Sequence, residues 1–163
     1  MKEKSEAELL HRMAAYCSTT ERCIQEIEKK LTAAGATPEI TGRIISRLLK
    51  EKFIDEARFA RSFVNDKLRY NKWGRIKISY ELQKKNIPAA IREEALSGIN
   101  EEEYHSILSA LLKSKKKTTK GKDDRDVFSK LLRFATGKGF ESRESIPLIK
   151  QIVNTGDYAD DFE

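Results

Sequence analysis

The chain has 163 residues, 36% of them charged and 39% hydrophobic, with 32 basic against 26 acidic side chains and a net charge of +6 at pH 7. That length suits one ordinary domain or a short row of small ones and excludes a large barrel. No run approaches the roughly 18 apolar residues of a membrane span, the amino end lacks the apolar stretch of a secretory signal, and two cysteines, Cys17 and Cys23, cannot build a disulfide framework.

Helix signals dominate, as expected for so charged a chain with only three prolines and eight glycines. An amphipathic segment follows the amino end. Ser18-Thr19-Thr20-Glu21 has the S-x-x-E form of a capping box and predicts a helix carrying Ile24, Ile27 and Leu31 on one face, with Gly35 as its C-cap. Thr37-Pro38 reads as an N-cap followed by proline in the first turn, and Ile40, Ile44, Ile45, Leu48 and Leu49 follow at helical spacing. Asp55 is placed to cap a helix with Phe59, Ala60, Phe63 and Val64 inward. From Arg75 to Leu82 apolar residues alternate, which is a strand signal; the same residues also pair one helical turn apart, Ile78 with Leu82 and Ile76 with Tyr80. A lone strand among helices would leave its backbone groups unpaired, so a helix apolar on two sides is expected. Asn100 opens a helix with Tyr104, Ile107, Leu108, Leu111 and Leu112 on one stripe. Residues 113–122, with six lysines and no apolar side chain, read as a solvated loop, and Asp123 and Asp124 begin a further helix containing Val127, Phe128, Leu131 and Leu132. The acidic stretch 156–163 reads as a tail held by little beyond Tyr158 and Phe162.

A weak internal repeat runs through these elements. Leu31 to Gly35, then Ile40, aligns with Leu82 to Asn86, then Ile91, and more loosely with Ala135 to Gly139, then Ile146, which falls two residues late. Glycine or asparagine recurs where a helix ends in the left-handed region. The expected fold is all-α, three tandem three-helix repeats over residues 1–52, 53–99 and 100–155, each covering its neighbour's apolar face. One irregular helical bundle is the alternative.

Charge is unevenly spread. Residues 41–92 hold 14 basic and 5 acidic side chains, a net of +9, whereas residues 157–163 hold none and 4. At about 100° per residue, Arg58, Arg61 and Arg69 line the helix face opposite the Phe59 stripe, while Lys67 falls among the apolar residues and must snorkel. Lys77 and Lys84 share a face of the next helix. Between them lies Leu68-Arg69-Tyr70-Asn71-Lys72-Trp73-Gly74-Arg75, where aromatics alternate with cations. Exposed, such aromatics stack bases while the cations hold phosphates; buried, Tyr70 and Trp73 pin the turn to the core. A merely solvated helix face competes for the arginines, and the shortage of acidic residues nearby favours binding.

Catalytic signatures are missing: no phosphate-binding glycine loop, dinucleotide fingerprint, zinc-protease helix or nucleophile elbow occurs. His11 and His105 stand far apart, and Cys17 and Cys23 lack metal-ligand spacing and read as buried free thiols. Glu101-Glu102-Glu103 suits the first turn of a helix, where negative charge meets the helix dipole. No enzyme activity, cofactor or metal is expected.

Phe53-Ile54-Asp55-Glu56-Ala57-Arg58-Phe59-Ala60-Arg61-Ser62-Phe63-Val64 resembles the acidic-pair, R-F-A motif of the RecX family of recombinase regulators. Gly74-Arg75-Ile76, then Glu81-Leu82-Gln83-Lys84-Lys85-Asn86-Ile87, is similar to that family's continuation, and Lys138-Gly139-Phe140 resembles the R-G-F motif of its third repeat. The chain departs from the family in having Glu56 for a second aspartate, Asn86 for a glycine and Lys138 for an arginine. The resemblance implies three three-helix repeats in an elongated, curved array. It also implies a cytoplasmic protein, taken as a monomer without membrane attachment, that lodges in the RecA–DNA filament. There such proteins modulate, usually inhibiting, ATP hydrolysis, strand exchange and repressor-cleavage stimulation in recombination, repair and the SOS response. On the charge geometry, Arg58, Arg61, Arg69, Lys72, Arg75, Lys77 and Lys84 are the expected contacts to RecA, or to single-stranded or duplex DNA directly. A stand-alone helical DNA-binding module of helix-turn-helix type, or an adaptor for another acidic protein, are the competing readings.

Overall fold

A computed structural model describes residues 4–153, and the acidic tail therefore lies outside the described residues. Among them the chain forms nine α-helices and no strand: α1 Glu6–Thr19, α2 Ile24–Ala33, α3 Pro38–Lys50, α4 Glu56–Arg69, α5 Arg75–Lys84, α6 Ala89–Ser97, α7 Glu101–Thr118, α8 Asp124–Gly137 and α9 Ser142–Ile152. None is long and apolar enough to cross a membrane.

The expected stops and starts recur at corresponding places. After α2, α5 and α8 the chain turns through Gly35, Asn86 and Gly139, all with positive φ (85°, 62° and 92°). In each turn the next amide donates back to the last buried helical residue: Ala36 to Leu31 (3.0 Å), Ile87 to Leu82 (3.1 Å) and Phe140 to Ala135 (3.0 Å). This six-to-one bond is the Schellman closure of a helix. The following helix begins three residues beyond each turn residue, at Pro38, Ala89 and Ser142. The third copy therefore carries no insertion. The position matching Ile40 and Ile91 is Glu144, and Ile146 belongs to the next inward turn, where it is buried.

Three sequence expectations resolve against local physics. Ser18 does not open a helix; it lies in the last turn of α1, where its hydroxyl donates to the Ala14 carbonyl (2.9 Å), and α2 starts at Ile24. Residues 113–118 are not loop but the C-terminal turns of α7, where lysines meet the negative end of the helix dipole. The Arg75–Lys84 segment is a helix apolar on two sides: Ile78 and Leu82 are fully buried, whereas Ile76 and Tyr80 are each 57% exposed.

The chain gathers into two compact units. One takes the described residues up to Phe63 together with Leu82–Ala95, and its core includes Leu9, Met13, Ile27, Leu31, Ile44 and Leu48. The other takes Val64–Glu81 and the described residues from Leu96 onward; α7, α8 and α9 pack mutually there around Tyr104, Leu108, Phe128, Leu131 and Ile149. In this second unit the turn before α5 is joined to the turn after α8. Gly74 N–H donates to the Lys138 carbonyl (2.8 Å) and Ile76 N–H to the Gly139 carbonyl (3.0 Å). A Cβ at position 74 would lie 2.4 Å from Gly139 backbone atoms, so only glycine permits this approach.

Candidate interaction surface

The acidic pair of the central motif has two separate structural tasks. Asp55 caps its own helix, its Oδ1 accepting from the Arg58 amide (3.1 Å). Glu56 instead reaches another helix of the same unit, its Oε2 accepting from the Ile24 amide at the start of α2 (3.1 Å). Helix α2 has no side-chain cap of its own from Cys23, so a carboxylate thirty-two residues away supplies it.

Of the seven expected contact residues, Arg58, Arg61 and Lys84 fall in the first unit, and Arg69, Lys72, Arg75 and Lys77 in the second. Arg58 is held by Glu21 (2.5 Å) and donates to the Lys52 carbonyl (3.0 Å). Arg69 makes a two-pronged pair with Glu103, at 2.7 and 3.3 Å, which raises the pKa of the guanidinium and lowers that of the carboxylate. Arg75 is the most enclosed. Its guanidinium lies 3.9 Å over the Tyr104 ring, bonds Glu101, and bonds Glu141 at 2.9 Å. Lys72 Nζ donates to the Arg69 carbonyl. Lys77 Nζ sits 4.6 Å over the Trp73 ring, and Lys67 snorkels to the same ring at 5.1 Å. Lys84 is exposed and its carbonyl accepts from Gln25 (2.9 Å). Arg61 is exposed and its side chain makes no hydrogen bond or ion pair among the described residues.

The apparent shortage of acid around residues 41–92 is thus partly made good from outside that segment, by Glu21, Glu101, Glu103 and Glu141. Nothing in the spacing of these glutamates along the chain points to the arginines they meet. Two further surface features accompany the cations. Tyr70 is 81% exposed, while Trp73 is half-buried with the Lys67 and Lys77 ammonium groups over its ring. Ile76 and Tyr80 stand one turn apart on the outward side of α5, a pair that its two-sided apolar period foreshadows.

Elsewhere the titratable groups serve structure. The Cys23 thiol is pushed up to about 11 by burial and Cys17 is also raised by burial, so both stay protonated and unreactive. The Tyr104 hydroxyl accepts from the Arg75 amide (3.0 Å) and donates to Glu141. Burial works to raise the Glu141 pKa, but the hydrogen bonds from Tyr104 and Arg75 prevail and hold it below the usual range. His105 contacts Glu144, and Glu101 lies close enough that the three offer donor atoms within 4.8 Å of one another. Arg75, bonded to Glu101 and 3.9 Å from Glu144, already supplies positive charge to that cluster. This arrangement suits an ion-pair network better than a metal centre.

Comparison with known proteins places these features in a family context. A family model described as the second three-helix domain of RecX matches residues 55–96. Regulatory protein RecX of Prosthecochloris aestuarii is 31% identical over 144 residues, covering 88% of this chain and 92% of the relative. Regulatory protein RecX of Clostridium acetobutylicum is 30% identical over 147 residues, covering 88% of this chain and 68% of the relative. A crystal structure of regulatory protein RecX superposes with a TM-score of 0.82 at 25% identity, covering 90% of this chain and 73% of that one. The structure of RecX from Lactobacillus salivarius, at 21% identity and a TM-score of 0.79, covers 90% of this chain and 96% of that one and shares its fold.

Proposed function

This chain belongs to the RecX family of regulatory proteins, and from that premise we propose that it is a non-enzymatic, cytoplasmic regulator of the RecA recombinase. It binds the RecA–DNA filament as a monomer and lowers its ATP hydrolysis, strand exchange and coprotease activity. Its three repeats are assigned to residues 1–52, 53–99 and 100–155. The observation that carries the reading is one of position: the family match at 55–96 overlaps the segment 41–92, which holds 14 basic and 5 acidic side chains. Positive charge of this density speeds encounter with a polyanionic filament and fixes the register of docking.

The side chains differ in how readily they could serve that role. Arg58, Arg69 and Arg75 have carboxylate partners within the chain. Binding through them requires sharing or exchanging those partners. Arg61 carries no such obligation, and Tyr70, Ile76 and Tyr80 add exposed contact area. Titrating the full chain into RecA on single-stranded DNA should depress ATP hydrolysis progressively. Arg61→Glu, with helical content unchanged, should require about tenfold more protein for the same effect. Hydrolysis unaffected by the wild-type chain would refute the proposal, and wild-type potency of the variant would move the contact away from Arg61.

A further inference from the structure

A second basic surface occupies the C-terminal end of α7. Lys113, Lys116 and Lys117 are exposed there, and Lys120 follows directly beyond the helix. At about 100° per residue the three helical lysines fall within an arc of about 100°, its centre about 130° from that of the buried Tyr104, Leu108 and Leu112 stripe. Their ammonium groups have no carboxylate partner among the described residues. Lys115 does not belong to this row, because it lies 5.1 Å over the Phe134 ring. The segment beyond the helix is tied down rather than loose: the Lys120 carbonyl accepts from Lys130, and the Lys122 amide donates to Asp126 (3.0 Å).

We propose that Lys113, Lys116, Lys117 and Lys120 form a sequence-independent docking surface for the phosphate backbone of duplex DNA. Single-sign charge along the helix, one lysine per about 3 Å of rise on average over residues 113–117, is comparable with a polyphosphate strand's one phosphate per about 3.4 Å. A protein partner would need buried aromatic or aliphatic anchors. None of the large exposed hydrophobic side chains, Leu49, Tyr70, Ile76 and Tyr80, lies on this segment. Docking of single strands draws on exposed stacking rings, whereas the Phe134 ring beside this surface has the Lys115 ammonium over it. An interfacial membrane helix must insert its apolar face, whereas the apolar face of α7 is buried in its own unit. The surface is independent of the filament reading and is tested without RecA.

The test is equilibrium binding of the full chain to a mixed-sequence duplex between about 50 and 200 mM salt, read as the slope of log affinity against log salt. Replacing Lys113, Lys116, Lys117 and Lys120 together by glutamine, which keeps helix propensity, should reduce the magnitude of that slope by about 3–4. Replacing the same four by arginine should leave it unchanged. A control with Lys29→Gln and Lys50→Gln, both exposed lysines of the other unit, should reduce it far less. An unchanged slope in the fourfold glutamine variant would overturn the proposal. So would a per-residue loss as large in the control, or a loss seen only on a single strand of equal length.

Discussion

Glu56 belongs to one helix and serves another, and its ionisation carries a measurable cost. Burial raises its pKa above the usual glutamate value, against the opposing hydrogen bond from the Ile24 amide. A folded-state pKa above the unfolded one means that the folded protein holds this proton more tightly. The associated stability is present at low pH and is lost as pH rises through the raised value. Glutamine retains an acceptor for Ile24 without the buried charge. Glu56→Gln should therefore be at least as stable as wild type at pH 7, and that advantage should disappear on acidification, when both side chains are neutral. Glu56→Ala removes the acceptor and should cost about 1–2 kcal/mol at either pH. Chemical denaturation of the three proteins at two pH values checks the pattern. Wild type more stable than the glutamine variant at pH 7 would contradict it. The sequence motif shows the acidic pair but not its division of labour. Asp55 acts locally and is legible as a cap, whereas the partner of Glu56 is fixed only when α2 and α4 meet.

At the scale of elements, starts and stops were both legible where one residue acts locally, and Thr37, Asp55, Asn100 and Asp123 cap the helices they announce. Gly35, Asn86 and Gly139 mark left-handed turns because few residues tolerate positive φ, so composition and conformation are tightly linked. The Ser18 cap signal failed because serine has a second use inside a helix, back-bonding to the carbonyl four residues earlier, and the alternative start was capped from a distance. The lysine run failed as a loop signal because charge says nothing against helix when the run begins inside an established one. Asn86 offers a direct measure of the turn's contribution. Asn86→Ala places a Cβ-bearing residue with no local compensation at a φ of 62° and should lose about 1 kcal/mol. Asn86→Gly should stay within about 0.5 kcal/mol of wild type, the relaxed turn offsetting the greater freedom of the unfolded chain. Thermal or urea unfolding of the pair tests this, and equal stability of the two variants would mean that the turn bears no such strain.

For the molecule as a whole, net charge conceals two opposed populations. The full chain carries +6, and residues 157–163, which contain 4 acidic and no basic side chains, offset a body of +10. If the two proposed basic surfaces, around the central motif and at the end of α7, bind a polyanion, the summed field of the chain contributes as well as local contacts. Removing negative charge from the same chain therefore strengthens both at low ionic strength. Deleting residues 157–163 should tighten DNA binding several-fold at about 20 mM salt, and the difference should vanish near 0.5 M as the screening length falls to a few ångströms. The full-length variant carrying Asp157→Asn, Asp160→Asn, Asp161→Asn and Glu163→Gln separates charge from chain length. It should bind like the deletion if the effect is electrostatic, and like wild type if the segment acts by occupying space. Equal affinity of all three proteins at low salt would show that the field of the body is not felt through the tail's charge, and that the basic surfaces bind by short-range contact alone.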